Sequence, residues 1–181
     1  MLKAKNTALV LIDVQQKLFE HIHDQQRLLA SLVRVVKGAQ LLELPIIWCE
    51  QMPEKLGPTI EPLAECLGDD EPITKTTFCC CGARKFEQAL LHSGAKSILL
   101  AGIETHVCVY QTAACLADDA YDVQVLADCT SSRTAENHEI GLGRIQTSGA
   151  TLTSVEMAML ELLQDAASPL FKDMLRLIKS P

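Results

Sequence analysis

Basic residues are scarce in this chain. Its 181 residues carry 16 Lys and Arg against 23 Asp and Glu, a formal net charge of −7, and the pI is near 5.2. No basic stripe interrupts that balance. Nucleic acid and acidic membrane surfaces, which are held by clustered cations, are therefore excluded as partners. Long apolar runs are missing too, since none approaches the roughly 20 residues of a membrane-spanning helix. The N-terminal "MLKAKNTALVLID" joins two lysines to an apolar stretch, but the stretch ends at Asp13 and no small-residue cleavage site follows. That is not the build of a signal peptide, and the chain reads as soluble and cytoplasmic. Internal repeats, low-complexity tracts and linkers are also absent. With 48% hydrophobic content, the simplest organisation is one domain over 1–181 with a sizeable core.

Cysteine is not scarce: there are eight. They lie in apolar, helix-like or strand-like segments of a core-rich chain, so reduced thiols packed as small hydrophobes are the expectation rather than a disulfide framework. The run "FCCCG" (78–82) lacks the C-x2-4-C spacing and the second pair of an ordinary zinc site, which points to a structural role. Trp48 is the sole tryptophan and sits in a strand-like run, where packing is expected.

Short runs rich in Val, Ile and Leu recur at "TALVLID" (7–13), "PIIWCE" (45–50), "EPITKT" (71–76), "SILLAG" (97–102), "DVQVLAD" (122–128) and "ATLTSV" (150–155). Stretches with helical spacing separate most of them, such as Gln25 to Leu42 with Leu28, Leu29, Leu32, Val35, Val36 and Ala39. Alternating strands and helices imply parallel strands joined by crossovers. Strands apolar almost throughout imply helices on both faces. The expectation is an α/β three-layer sandwich around a mostly parallel, doubly wound, Rossmann-like sheet of about six strands. Gly94 and Gly149 stand where helices should stop. A nucleotide-binding sheet would carry G-x-G-x-x-G after its first strand, where "IDVQQKLF" stands instead. The irregular "EQMPEKLGPTIEPL" (50–63), with three prolines and a glycine, is long enough for an active-site loop. The C-terminal "SPLFKDMLRLIKSP" reads as an amphipathic helix from near Pro169, covering either the domain or a partner subunit.

In doubly wound sheets, ligands bind beyond the carboxyl ends of the strands where strand order reverses. Three polar residues stand at such ends: Asp13 after "ALVLI", Lys75 after "EPIT" and Cys108 just past "SILLAGIET". Each alone has a bland reading, as a cap, an exposed charge and a buried thiol. Together they form a set that activates a nucleophile. A carboxylate takes the thiol proton, an ammonium favours the thiolate, and a helix N-terminus, with Cys108 in its first turn, adds partial positive charge.

With these residues in place, the chain resembles the isochorismatase-like cysteine hydrolases, a family that includes nicotinamidases and other small-amide hydrolases. The likeness runs through "ALVLIDVQQKLF" (8–19), "EQMPEKLGPT" (50–59), "ITKTTF" (73–78), "LLAGIETHVCVYQTA" (99–113) and "LADCTSSRTAENHEIGLGRIQTSGATLTSVE" (126–156). It rests on D-x-Q, K-x-x-F and G-x-x-T-x-x-C-V in that order. The resemblance implies that Asp13 is the general base, Cys108 the nucleophile and Lys75 the cationic partner. It also implies a non-proline cis peptide between Ile103 and Glu104, an oxyanion hole from the N–H groups of Glu104 and Cys108, and assembly into a homo-oligomer. Zinc-dependent members carry Asp-x-His and a further His in the loop after the second strand. Here that loop, "WCEQMPEKLGPTIEP", has no histidine, and His21 and His23 read as solvated. The expectation is no metal and no cofactor. A cysteine at 108 favours covalent amide cleavage over the vinyl-ether chemistry of the isochorismate branch.

Gln15, Phe19, Gln51, Phe78, Thr105 and His106 fall near the same sheet edge and are the candidate contacts for a small-molecule substrate. Phe19 and Phe78 read equally as core packing, and Thr105 as a helix cap. In "SSRTAENHE" (131–139), a turn and cap are expected, with Arg133, Asn137 and His138 matching the family pattern. Two other functions stay open at this point. One is a thiol redox or metal-binding protein using Cys79, Cys80 and Cys81. The other is a non-catalytic partner-binding subunit on the same fold.

Overall fold

The computed structural model describes residues 1–68 and 70–179. Among them, six strands form one sheet: β1 Thr7–Ile12, β2 Ile46–Gln51, β3 Ile73–Lys75, β4 Ser97–Ile103, β5 Asp122–Ser131 and β6 Thr151–Thr153. The spatial order is β3-β2-β1-β4-β5-β6 and every neighbouring pair is parallel. The α/β three-layer expectation is met, with the sheet parallel throughout.

Alternation along each strand divides the core in two. In β1, Leu9 and Leu11 join Leu28, Leu32, Val35 and Val36 of α2 (Gln25–Leu41), with Met159 and Leu162 of α8 (Val155–Leu163). Ala8, Val10 and Ile12 face the opposite layer, where they meet Phe86 and Leu90 of α5 (Arg84–Ser93), Leu116 of α6 (Tyr110–Asp118) and Ile145 of α7 (Ala135–Thr147). Fully burying each of these large side chains stabilises by roughly 1.5–3 kcal/mol. Strands apolar on both faces follow directly from helices on both faces. Trp48 packs in the first of these layers.

Several boundaries differ from the sequence reading, for local reasons. The last strand stops at Thr153 because Ser154 caps α8, its hydroxyl accepting from the Met157 N–H. β5 runs on to Ser131: its register against β4 shifts between Leu100 and Gly102, and Thr130 and Ser131 then pair with Gly102 and Ile103. The 50–63 segment is not irregular throughout. It holds α3 (Pro53–Leu56) and the start of α4 (Glu61–Leu67), each with proline in its first turn. Helix α1 (Gln16–Phe19) follows β1. The expected C-terminal helix is α9 (Phe171–Lys179), and it covers its own chain, packing on α2 and α8 with Met174 fully buried. Residues 180–181 of that segment lie outside the described residues. No described helix is long and apolar enough to cross a membrane.

β1 leads outward to β2 and β3, whereas β4 returns to the other side of β1, so strand order reverses between β1 and β4. The two strands close tightly there. Gly102 sits at φ +124°, and a Cβ at that position would lie 2.1 Å from the Ile12 carbonyl oxygen. Gly102→Ala is expected to destabilise the protein by about 2–4 kcal/mol, since both the backbone conformation and the strand contact oppose a side chain. Chemical denaturation of the two proteins measures it; a change below about 0.5 kcal/mol would show that the strands can part at no cost.

Candidate active site

The carboxyl ends of β1, β2, β3 and β4 meet at this reversal. Asp13 follows β1 in the left-handed conformation, φ 52°, which Asp tolerates better than most residues. Its N–H donates to the Cys49 carbonyl of β2, anchoring the turn. Lys75 is the last residue of β3, and its Nζ lies 2.6 Å from Asp13 Oδ2. Both side chains are wholly removed from solvent. Lys75 Nζ also donates to Gln51 Oε1 (3.1 Å), Thr77 O (3.1 Å) and Phe78 O (3.3 Å). An ammonium has three protons, so this one is saturated and fixed in place.

Cys108 is not in the first turn of an α-helix, as the sequence suggests. Thr105–Val109 is one π turn that precedes α6, with the Val109 N–H reaching the Glu104 carbonyl five residues back at 3.3 Å. Such wide turns recur at functional sites because they re-aim one side chain. Helix α7 presses on this turn at Gly141, where a Cβ would lie 2.8 Å from the His106 nitrogen. The Cys108 thiol donates to Gln51 Oε1 at 3.6 Å, and is buried. Gln51 therefore joins the thiol to the ion pair. The Ile103–Glu104 peptide is cis. The Glu104 carboxylate accepts from Arg133 Nε (2.9 Å) and Arg133 N (3.3 Å).

Burial pushes the Asp13 carboxyl up, and this outweighs the attraction of Lys75 and the hydrogen bonds from Lys75 and Cys108. Desolvation opposes charge on Lys75, but the carboxylate beside it, with the neighbouring thiols, holds the ammonium above its ordinary value. The ion pair alone would depress Asp13, but Asp13 Oδ1 is buried without a hydrogen-bond partner and loses solvation it does not recover, which holds the carboxyl up. The Cys108 thiol is pushed well up, first by burial and then by the Asp13 charge, with Lys75 pulling the other way. The sequence reading has the ammonium favouring the thiolate; here Lys75 is paired with Asp13 at 2.6 Å, and burial with the Asp13 charge favours the protonated thiol.

The six other candidates separate. Gln51 touches both Lys75 and Cys108. His106 is half-buried with Nδ1 3.0 Å from Ser132 Oγ. Thr105 is fully buried, with Oγ1 2.8 Å from His138 Nδ1; it is held from α7 and does not cap a helix. Gln15 is also fully buried. Its amide donates to Gly57 O (2.6 Å) and Gln51 O (3.1 Å) and accepts from the Gln51 N–H (2.8 Å), which spends the side chain on holding the 50–63 segment. Phe19 is half-buried against the α2 side of the core. Phe78 is 52% exposed, beside the carbonyl that holds Lys75. His21 and His23 are exposed.

Two contributors escaped the sequence reading. Glu50 is buried and its Oε1 accepts from both Thr59 N (2.6 Å) and Thr59 Oγ1 (2.7 Å), tying the loop down beside Gln51. Gly141 sets how closely α7 approaches the π turn. Neither carries a local signal, since both act on residues distant in sequence. The expected turn and cap before α7 are present, with Thr134 accepting from the Asn137 N–H.

Residues 7–157 match the isochorismatase domain. An isochorismatase domain-containing protein 2 from Xenopus laevis is 37% identical over 177 residues, 98% of this chain and 85% of that protein. A solved Caenorhabditis elegans structure described as MAR1 ribonuclease superposes with a TM-score of 0.92 at 32% identity, covering 99% of this chain and 92% of that one. The fold is shared with the Escherichia coli YcaC gene product, an octameric hydrolase of unknown specificity, with a TM-score of 0.89 at 21% identity over 98% of this chain and 94% of that one.

Two outcomes are expected from the buried cluster. Lys75→Met should cost about 3–5 kcal/mol by stranding a buried carboxylate, and Lys75→Met with Asp13→Asn should cost less than the two single changes added, as read by chemical denaturation. Strict additivity would show that the pair is not energetically coupled. Cys108 should alkylate with iodoacetamide no faster at neutral pH than an ordinary thiol, gaining rate only in alkali, by peptide mass mapping. Rapid labelling below pH 7 would show a resting thiolate.

Proposed function

This chain belongs to the isochorismatase-domain family, and on that premise we propose that it is a cysteine hydrolase cleaving a small amide or related C–N bond. The observation that carries this reading is the thiol of Cys108 held on Gln51, which also contacts the buried Lys75–Asp13 pair. The reaction is assigned to Asp13 and Cys108 with Lys75 as their cationic partner, and no cofactor enters the scheme.

In the proposed reaction, Asp13 takes the Cys108 proton as sulfur attacks the carbonyl carbon. The raised basicity of Asp13 suits it to that transfer. The N–H groups of Glu104 and Cys108 hold the developing oxyanion. Collapse breaks the C–N bond, the Asp13 proton leaves with ammonia or the amine, and the acyl group stays on sulfur. A water deprotonated by Asp13 then opens the thioester, releasing the acid and restoring the thiol. Lys75 is a positioning residue: its protons are all engaged, so it orients Asp13 and keeps the site neutral overall. Gln51 and His106 are the substrate contacts we favour, with Phe78 at the rim.

We read the chain as one domain over 1–181, acting in the cytoplasm on a small, uncharged substrate. The C. elegans relative is described as a ribonuclease. Phosphodiester binding is disfavoured for this chain by its charge of −7 and by a site cation already neutralised by Asp13. The E. coli protein is octameric, and we propose self-association here too. Since α9 spends its buried face on its own chain, the contact would use other surfaces.

The test is ammonia release across small primary amides and carbamoyl compounds. Cys108→Ala should lower turnover at least about 10³-fold, and acid-quenched wild type should carry the acyl mass on Cys108. Full turnover in Cys108→Ala would sink the mechanism. Because Asp13 must be ionised to accept the proton, kcat/KM should fall on the acid side with a midpoint above the ordinary carboxylate range, and Asp13→Asn should abolish that limb along with most activity. An acid limb that survives in Asp13→Asn would assign the base elsewhere.

A further inference from the structure

The sulfurs of Cys79, Cys81 and Cys115 all lie within 4.8 Å of one another. In sequence the first two belong to an unbroken cysteine run; in space the run divides. Cys80–Gly82 forms one 3-10 turn, closed by Gly82 N–H to Cys79 O (3.3 Å) and Ala83 N–H to Cys80 O (2.9 Å). Cys80 is fully buried in the layer beneath the sheet, beside Cys49. Cys79 and Cys81 are half-buried and converge on Cys115 of α6, itself half-buried.

The turn is docked on α6 by the Cys80 N–H, which donates to Thr112 Oγ1 at 3.0 Å, one residue triplet before Cys115. Its inner side is packed by Thr77. A Cβ on Gly82 would lie 2.6 Å from Thr77 Oγ1, and that hydroxyl donates to Cys79 O at 2.7 Å. The thiols are thus brought together by a defined turn on a rigid helix.

We propose that Cys79, Cys81 and Cys115 form a three-thiolate site for a soft d10 cation, Cu(I) or Zn(II). Sulfurs around one such ion with bonds near 2.3 Å stand about 3.8 Å apart in tetrahedral and about 4.0 Å apart in trigonal coordination, so contraction of at most about 1 Å, within reach of side-chain rotation, completes the site. Binding releases the thiol protons to solvent and forms three metal–sulfur bonds without redox change. No fourth His, Cys, Asp or Glu joins the group among the described residues. Trigonal coordination suits Cu(I), while Zn(II) would take water as a fourth ligand. A surface cavity of about 290 Å³ opens at Cys81, with Glu87 and Asp119 on its wall. Those carboxylates give a cation an entry path.

The site uses none of Asp13, Lys75 or Cys108, so its test is independent of the hydrolase reading. Full-length protein, reduced and handled without oxygen, is titrated with Cu(I) against bicinchoninate and separately with Zn(II) against pyridylazoresorcinol. One equivalent of at least one ion should be withheld from the chelator. Cys79→Ser, Cys81→Ser and Cys115→Ser should each weaken it at least about 100-fold, and Cys66→Ser should not. Retention by Cu(I) alone assigns the trigonal form, and by Zn(II) alone the tetrahedral one. Because a serine variant can disturb the turn, the bound ion is also tested on wild type, where it should protect Cys79, Cys81 and Cys115 from alkylation while Cys66 still labels. Unchanged binding in Cys115→Ser, absence of protection, or no ion withheld by either chelator competition overturns the proposal.

Discussion

An ammonium and a carboxylate in contact with no access to water set the terms for everything around them. Taking each ion out of solvent costs several kcal/mol, recovered only by close pairing and by hydrogen bonds to whatever the pair leaves unsatisfied. Lys75 and Asp13 meet at 2.6 Å, and the surrounding chain supplies the remaining acceptors from Gln51, Thr77 and Phe78. Three adjacent strands, β1, β2 and β3, must end at one level for this to occur. The pair is thus a constraint on strand register as much as a feature of the site.

Its electrical neutrality bears directly on the Cys108 thiol. With its protons committed to Asp13, Gln51 and two carbonyls, Lys75 has no donor left for the sulfur. Burial and the Asp13 charge favour the protonated thiol, and in the reaction we propose the raised basicity of Asp13 comes into play only when a carbonyl carbon is present to receive the sulfur. The 50–63 segment serves the same arrangement. Gln15 and Glu50 lock it to the backbone, which fixes Gln51, and Gln51 is the residue touching both the cation and the thiol. Rigidity in this loop is distributed among buried polar side chains whose every hydrogen bond is to the neighbouring chain segment.

How far the site could be read in advance differed residue by residue. Asp13, Lys75 and Cys108 were legible because an apolar strand that ends in a polar residue advertises where the chain leaves the core. Gln51 was legible for the same reason. Gln15 was legible as a site neighbour but not as a loop anchor, because its partners at Gly57 and Gln51 are some 40 positions away. The helix start at Cys108 was misread since "HVCVYQTAAC" has ordinary helical spacing; the π turn lies where α7 approaches closely at Gly141, a contact between distant segments. The grouping of Cys79 and Cys81 with Cys115 was not legible in "FCCCG", because consecutive cysteines reveal nothing of Cys115, which a separate helix delivers.

Strand and helix order, parallel pairing and the two-faced core were determined by the sequence alone, because hydrophobic periodicity is a local property that burial on one or both faces imposes directly. The placing of Asp13, Lys75 and Cys108 at or just past strand ends was determined there too. Tertiary structure alone decided the burial and pairing that shift their proton affinities, the π turn that carries Cys108, and the grouping of Cys79 and Cys81 with Cys115. These depend on desolvation and on contacts between segments far apart in the chain, and both exist only once the sheet has closed.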